Sequence, residues 1–232
     1  MYFQKAEITM TWTGTCIAFV LLFLCLSHAV TDLGKTGVAV PFEEDEKYFC
    51  YQNASDAVDI TEKLYVIIQN FEIPDFPPKC DSAQQVEKIN DTLYNFTLAA
   101  VIPQVPNITV KFTTPLILSK TGNHTDYNAM TYKYATIFPA KLRKLMYLSA
   151  QRDCMIFVEN RNWTDDAQCQ LLQPAQYADA GIPQECGNVY NQNCPGKNVT
   201  VYYPGCKNLT SITVEDLVKM MNRTTTAAPE SC

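Results

Sequence analysis

Apolar positions along this chain follow three rhythms. The first is an unbroken run from Cys16 to Leu26, preceded by Lys5 and followed by Ser27-His28-Ala29, with small residues at the positions a signal peptidase reads. The run is shorter than the roughly 20 residues that span a bilayer, and no later stretch approaches that length. Residues 1–29 are therefore expected to be a cleaved secretory leader, leaving a mature chain without a membrane span. The second rhythm is that of short strands rich in β-branched and aromatic residues: Leu64 to Ile68, Thr92 to Val101, Ile108 to Thr113, Leu116 to Ser119, Met130 to Phe138, Leu142 to Leu148 and Met155 to Val158. Pro103, Pro106, Pro115 and Pro139 punctuate this region and exclude long helices, so an antiparallel sandwich or barrel is predicted. The third rhythm is helical. Ile182, Cys186, Val189, Tyr190 and Cys194 recur on one face behind Pro183, and Val214, Leu217, Val218 and Met221 mark a second, short helix. Ser55 to Asp59 has the form of a capped helical turn.

Polar ends frame this apolar middle. Residues 30–49, with the acidic run Glu43-Glu44-Asp45-Glu46, are expected to form a flexible, solvated arm. A barrel or sandwich and its helix would occupy 50–210, and 211–232 would carry the short helix and a Thr/Pro-rich, mucin-like, disordered tail.

Cysteines tie the two together. With Cys16 and Cys25 removed in the leader, Cys50, Cys80, Cys154, Cys169, Cys186, Cys194, Cys206 and Cys232 remain, an even set that in an oxidising compartment favours disulfides. Their spacing lacks the close thiolate pairs of a zinc site, so no metal is expected. Counting alone leaves about 105 pairings open. Nine sequons, at Asn53, Asn90, Asn95, Asn107, Asn123, Asn162, Asn198, Asn208 and Asn222, point to a glycosylated surface. A glycan on Asn95 must face solvent, which by the two-residue period turns Tyr94, Phe96 and Leu98 inward. The same argument at Asn107 turns Ile108, Val110 and Phe112 inward and Thr109 and Lys111 outward.

Catalytic chemistry finds little material here. After the leader the one histidine is His124, inside the sequon Asn123-His124-Thr125, and no G-x-S-x-G elbow supplies a nucleophile. Glycine-rich phosphate loops are absent, and the net charge of −6 argues against a nucleic-acid partner. The chain is therefore expected to bind rather than catalyse, with no cofactor.

The cysteine-bearing stretch carries a more specific signal. Asp56-Ala57 followed by a strand and Cys80, then Cys154-Met155-Ile156-Phe157-Val158, Cys169-Gln170-Leu171-Leu172 and Ile182-Pro183-Gln184-Glu185-Cys186 with Cys194, Tyr203 and Cys206, resemble the tick salivary lipocalins, the histamine-binding proteins of tick saliva. The resemblance implies an eight-stranded antiparallel barrel with a C-terminal α-helix on its wall and one or two small-ligand cavities. It also implies the pairs Cys80–Cys206, Cys154–Cys186 and Cys169–Cys194, which leaves Cys50 and Cys232 to each other by elimination. The sequence departs from the family where Gln170 and Leu172 replace the Glu and Trp of its Cys-Glu-Leu-Trp motif and Val58 replaces a Trp.

As the resemblance implies, the chain would be a monomer that sequesters a small host mediator. Charge shapes the choice of ligand. Between Thr92 and Ala150 lie six basic residues, Lys111, Lys120, Lys133, Lys141, Arg143 and Lys144, against the single acid Asp126. A buried amine needs a carboxylate, and only Asp75 and Glu159 are at hand. An apolar or acidic lipid such as a leukotriene is thus preferred, with Lys141 or Arg143 holding its carboxylate at the mouth. The pocket would be formed by Phe71, Asp75, Phe76, Tyr94, Phe96, Phe112, Tyr132, Tyr134, Phe138 and Arg143. The alternatives are a histamine or serotonin scavenger, a lipocalin whose outer wall blocks a host complement or clotting protein, and a glycoprotein decoy whose sugars are the point.

Overall fold

Strands that bury both faces read as continuous apolar runs, and several strands here do so because they separate two cores. In the computed structural model, which describes residues 40–159, 161 and 167–226, the strands are β1 (Leu64–Gln69), β2 (Ser82–Lys88), β3 (Leu93–Val101), β4 (Thr109–Ser119), β5 (Ala129–Lys133), β6 (Ala140–Leu148), β7 (Met155–Glu159), β8 (Cys169–Pro174), β9 (Val199–Thr200) and β10 (Ser211–Thr213). Neighbours from β1 to β8 pair antiparallel in the order β4-β3-β2-β1-β8-β7-β6-β5, and a β4–β5 pairing closes the ring into an eight-stranded barrel. The leader, Asn162 and Cys232 lie outside the described residues.

Alternation assigns side chains to the two cores. On β1, Leu64 and Val66 face the barrel interior with Tyr94, Phe96, Leu116, Leu118, Met130 and Phe157, while Tyr65 and Ile67 face an outer core with Ile156, Val158, Leu171 and Tyr190. On β6, Leu145 and Leu148 are both interior although three residues apart, because a register shift between Leu145 and Tyr147 resets the alternation. Helix α1 (Ala54–Val58) packs Ala54, Ala57 and Val58 into the interior core; its N-terminus is capped by Asn53, whose side chain accepts from Ser55 N at 3.0 Å. Helix α2 (Gln184–Asn193) lays Cys186 and Tyr190 on the outer core. Three disulfides, Cys80–Cys206, Cys154–Cys186 and Cys169–Cys194, staple that outer layer, in the pairing the resemblance implied. Cys50 is exposed and has no disulfide partner among the described residues.

The structure corrects several sequence readings. Residues 109–119 form one strand, not two: Pro115 lies opposite Asn95 of β3, in the part of β4 between β10 and β5 where no strand pairs on the other side, so its missing N–H costs no ladder bond. Thr109 is buried rather than outward in solvent, because β10 runs parallel to β4 there and Ser211 Oγ lies 2.7 Å from Thr109 Oγ1. β5 ends at Lys133, well short of Phe138. Strands β2 and β8, absent from the sequence reading, complete the ring.

The acidic arm is not solvated throughout its length. Phe42–Glu44 and Glu46–Tyr51 form 3-10 turns, and Glu43 is fully buried against Arg161, with Oε1 2.8 Å from Nε and Oε2 2.9 Å from Nη2. Glu44 pairs with the buried Lys144 of β6. At the other end, helix α3 (Val214–Thr226) extends well beyond the expected Met221, into residues assigned to the disordered tail.

Candidate ligand-binding site

Packing divides the barrel interior into a floor and a cavity. Tyr94 and Phe96 lie opposite Leu116 and Thr114 and belong to the dense cluster over α1, which fills one end. Two residues further along β3, Leu98 faces Phe112 across the β3–β4 ladder, and here the interior opens into a cavity of about 380 Å³. That volume lies near the low end of the roughly 300–1,000 Å³ of small-ligand sites.

Five of the ten pocket residues named from sequence line this cavity: Phe76, Phe112, Tyr132, Tyr134 and Phe138. Phe76 and Phe138 meet edge to face at 6.2 Å. The other five lie elsewhere. Tyr94 and Phe96 form the floor, and Tyr94 donates its hydroxyl to Asp59 at 3.2 Å. Phe71 is half-buried and its carbonyl accepts from Gln69 Nε2 at 2.7 Å. Asp75 is exposed, at a φ of 66° in the tight Ile73–Phe76 turn, and is not among the lining residues of the cavity.

Arg143 sits behind the lining rather than in it. It is 4% exposed, and its guanidinium carbon lies 5.1 Å from the ring centroids of both Tyr132 and Tyr134. Nη1 donates to the Tyr132 hydroxyl at 2.6 Å and Nη2 to Glu159 Oε1 at 3.0 Å; Lys141 also pairs with Glu159, at 2.9 Å. Burial would raise the Glu159 carboxyl, but the Lys141 hydrogen bond and the Arg143 charge outweigh it, and the group ends below its ordinary value. Glu159 is therefore a counter-ion for the wall and not a free acid for a ligand.

The residue that sequence reasoning missed is Asp81. It follows the half-cystine Cys80 at the head of β2, is 6% exposed, and is the only Asp, Glu, Lys or Arg among the cavity-lining residues. Oδ2 accepts from the Tyr134 hydroxyl at 2.7 Å and Oδ1 from Lys79 N at 3.2 Å; neither donor is a cation. Burial pushes its carboxyl above the ordinary value, opposed by those two hydrogen bonds and by the charge of Arg143. The charge count that began at Thr92 stopped short of it, and the buried setting of Cys80 was the signal that could have found it.

Around this acid the wall is apolar, with Val66, Ile73, Ala83, Leu98, Val110 and Leu172, and Gln170 adds an amide that also donates to Gln69 at 2.9 Å. The arrangement can desolvate one small molecule and pair a donor or cation on it with Asp81. His124, for its part, is buried away from this site, stacked on Phe49 at 3.6 Å with Gln52 Oε1 2.8 Å from Nε2 and the Thr121 carbonyl oxygen 2.9 Å from Nδ1. Among the described residues, no three His, Cys, Asp or Glu side chains come together as a metal site.

The model of the tick histamine-binding protein family matches residues 42–208. The chain belongs to that family. No curated protein matches its sequence. Among solved structures, that of a serotonin complex of AM182 has a TM-score of 0.50 at 11% identity, covering 66% of this chain and 91% of that one. Japanin from Rhipicephalus appendiculatus, bound to cholesterol, has a TM-score of 0.44 at 14% identity, covering 62% and 93%. Insecticyanin from the tobacco hornworm Manduca sexta has a TM-score of 0.48 at 10% identity, covering 68% and 86%. The first of these likenesses concerns the barrel fold alone. Members of a histamine-binding family are ligand carriers, and this member presents an apolar cavity with an acid in its wall.

Proposed function

We propose that this chain is a secreted scavenger that holds one small amphiphilic host mediator, with an amine on Asp81 and an aromatic or apolar body against Phe112, Tyr132 and Phe138. Asp81 carries the proposal: a buried carboxylate whose donors are both uncharged is unfavourable alone and becomes favourable when a cation enters beside it. This favours a biogenic amine over the carboxylate-headed lipid that the charge count suggested, since Lys141 and Arg143 are both paired with Glu159. The apolar wall supports a leukotriene or similar fatty-acid derivative as a second reading, in which the carboxylate must sit away from Asp81. Calorimetric titration with histamine, serotonin and a leukotriene decides between them. Amine binding that is lost in Asp81→Asn supports the first; lipid binding with no amine binding overturns it. Blocking of a host plasma protein by the outer wall is a separate possibility that pull-down from plasma addresses.

A further inference from the structure

The cavity is finished by residues from beyond the family match. That match ends at residue 208, yet Val214, Leu217 and Met221 line the cavity. They recur at three- and four-residue spacing on α3, so one face of the helix closes over the barrel while Glu215, Asp216, Lys219 and Asn222 occupy other faces. Leu217 is buried by this contact. The helix is held by a short hook. β10 pairs with β4 over only Thr109, Val110 and Lys111, Thr109 N donates to the Thr210 carbonyl at 3.0 Å, and the helix start is capped by Thr213 Oγ1, which accepts from Asp216 N at 3.2 Å. Immediately upstream, the Cys80–Cys206 disulfide anchors the chain beside Asp81.

We propose that residues 211–221 form a ligand-selecting cap, in which Leu217 and Met221 touch the apolar body of the bound molecule and set how large that body can be and how slowly it leaves. The proposal rests on the cavity being a ligand site but not on which head group Asp81 receives. A segment attached by three strand residues is among the first to open, so ligand passes as the cap lifts while the disulfide keeps its base in place.

The test uses the full chain and two probes, serotonin and the neutral apolar dye N-phenyl-1-naphthylamine, with dissociation followed by stopped-flow fluorescence. Leu217→Ala with Met221→Ala should speed release of the dye by ~10-fold or more while Cys80–Cys206 and the unfolding transition remain as in the parent chain. Leu217→Trp should shrink the cavity and lower dye affinity by a similar factor. Dye binding that responds in this way without any serotonin binding would support the cap and defeat the amine reading. Dye release unchanged in both variants, or no dye binding to the parent chain, would overturn the cap.

Discussion

The Tyr134 hydroxyl donates to Asp81 Oδ2 at 2.7 Å, so the acid of the cavity wall is held by a phenol whose own ring lies against Arg143. Burial first, then the charge of Asp81, pushes the Tyr134 hydroxyl well above its ordinary value, which keeps it a proton donor throughout the physiological range. Asp81 is thereby fixed in direction while its charge stays uncompensated by any hydrogen-bonded cation.

Two opposite effects follow for Asp81→Asn. Amine affinity should fall by ~30- to 5,000-fold, the range for truncating one partner of a buried charge pair. Stability of the empty protein should rise instead. Because the folded-state carboxyl is raised, the unfolded chain ionises first, and folding loses stability as pH climbs from the ordinary carboxylate value to the raised one. Chemical unfolding of both proteins between pH 3.5 and 7 should show this loss only in the parent chain; a pH-independent difference would contradict it.

Arg143→Met should cost about 1.5–3 kcal/mol, since it removes a buried charge-assisted hydrogen bond and leaves the partly buried Glu159 with Lys141 alone. The double variant Arg143→Met, Glu159→Leu should recover most of that loss. Urea denaturation of the three proteins checks the pattern, and a single variant costing under about 1 kcal/mol would mean that the pair is solvated.

Glu43→Gln separates a packed strap from a solvated arm. An exposed acid would change stability by no more than about 0.5 kcal/mol, whereas loss of the buried Glu43–Arg161 pair should cost about 3 kcal/mol or more. Thermal and urea unfolding measure it directly.

Glycan mapping tests the outward faces of β3 and the turn before β4. Asn107 is exposed and Asn95 half-buried, its Nδ2 donating to Glu87 at 3.0 Å. Site-specific mass spectrometry should find Asn107 occupied to a greater extent than Asn95, where the glycan must displace that bond.

Legibility in the sequence tracked chemistry. The framework was readable because the cysteines sit in recognisable local motifs, so Cys80, Cys154 and Cys169 found their partners through the family resemblance. β2 and β8 were not, because Gln84, Gln85, Gln170 and Gln173 interrupt the apolar alternation with amides; Gln84 is exposed, while Gln170 donates to Gln69 and Gln173 to the Gly181 carbonyl. Pro115 hid the continuity of β4, since whether a proline breaks a strand depends on a neighbour that only the closed barrel reveals. Within the pocket, aromatic residues were found by type but not by depth. Tyr94 and Phe112 both face inward, and only the register that sets Leu98 opposite Phe112 decides which end stays hollow.

The bulge in β6 and the alternation on β1, β7 and β8 leave the disulfides and α2 on the outside of the wall and the ligand-facing residues on the inside. Lineage change can therefore act on the two faces independently. A substitution at Phe112, Leu98 or Tyr132 alters what the cavity admits without loosening a staple, and the filled floor offers the same freedom in reverse: trimming Phe96 would lengthen the cavity toward α1. In a wall arranged in this way, the residues that set the volume and polarity of the cavity are separate from the half-cystines that hold the outer layer together.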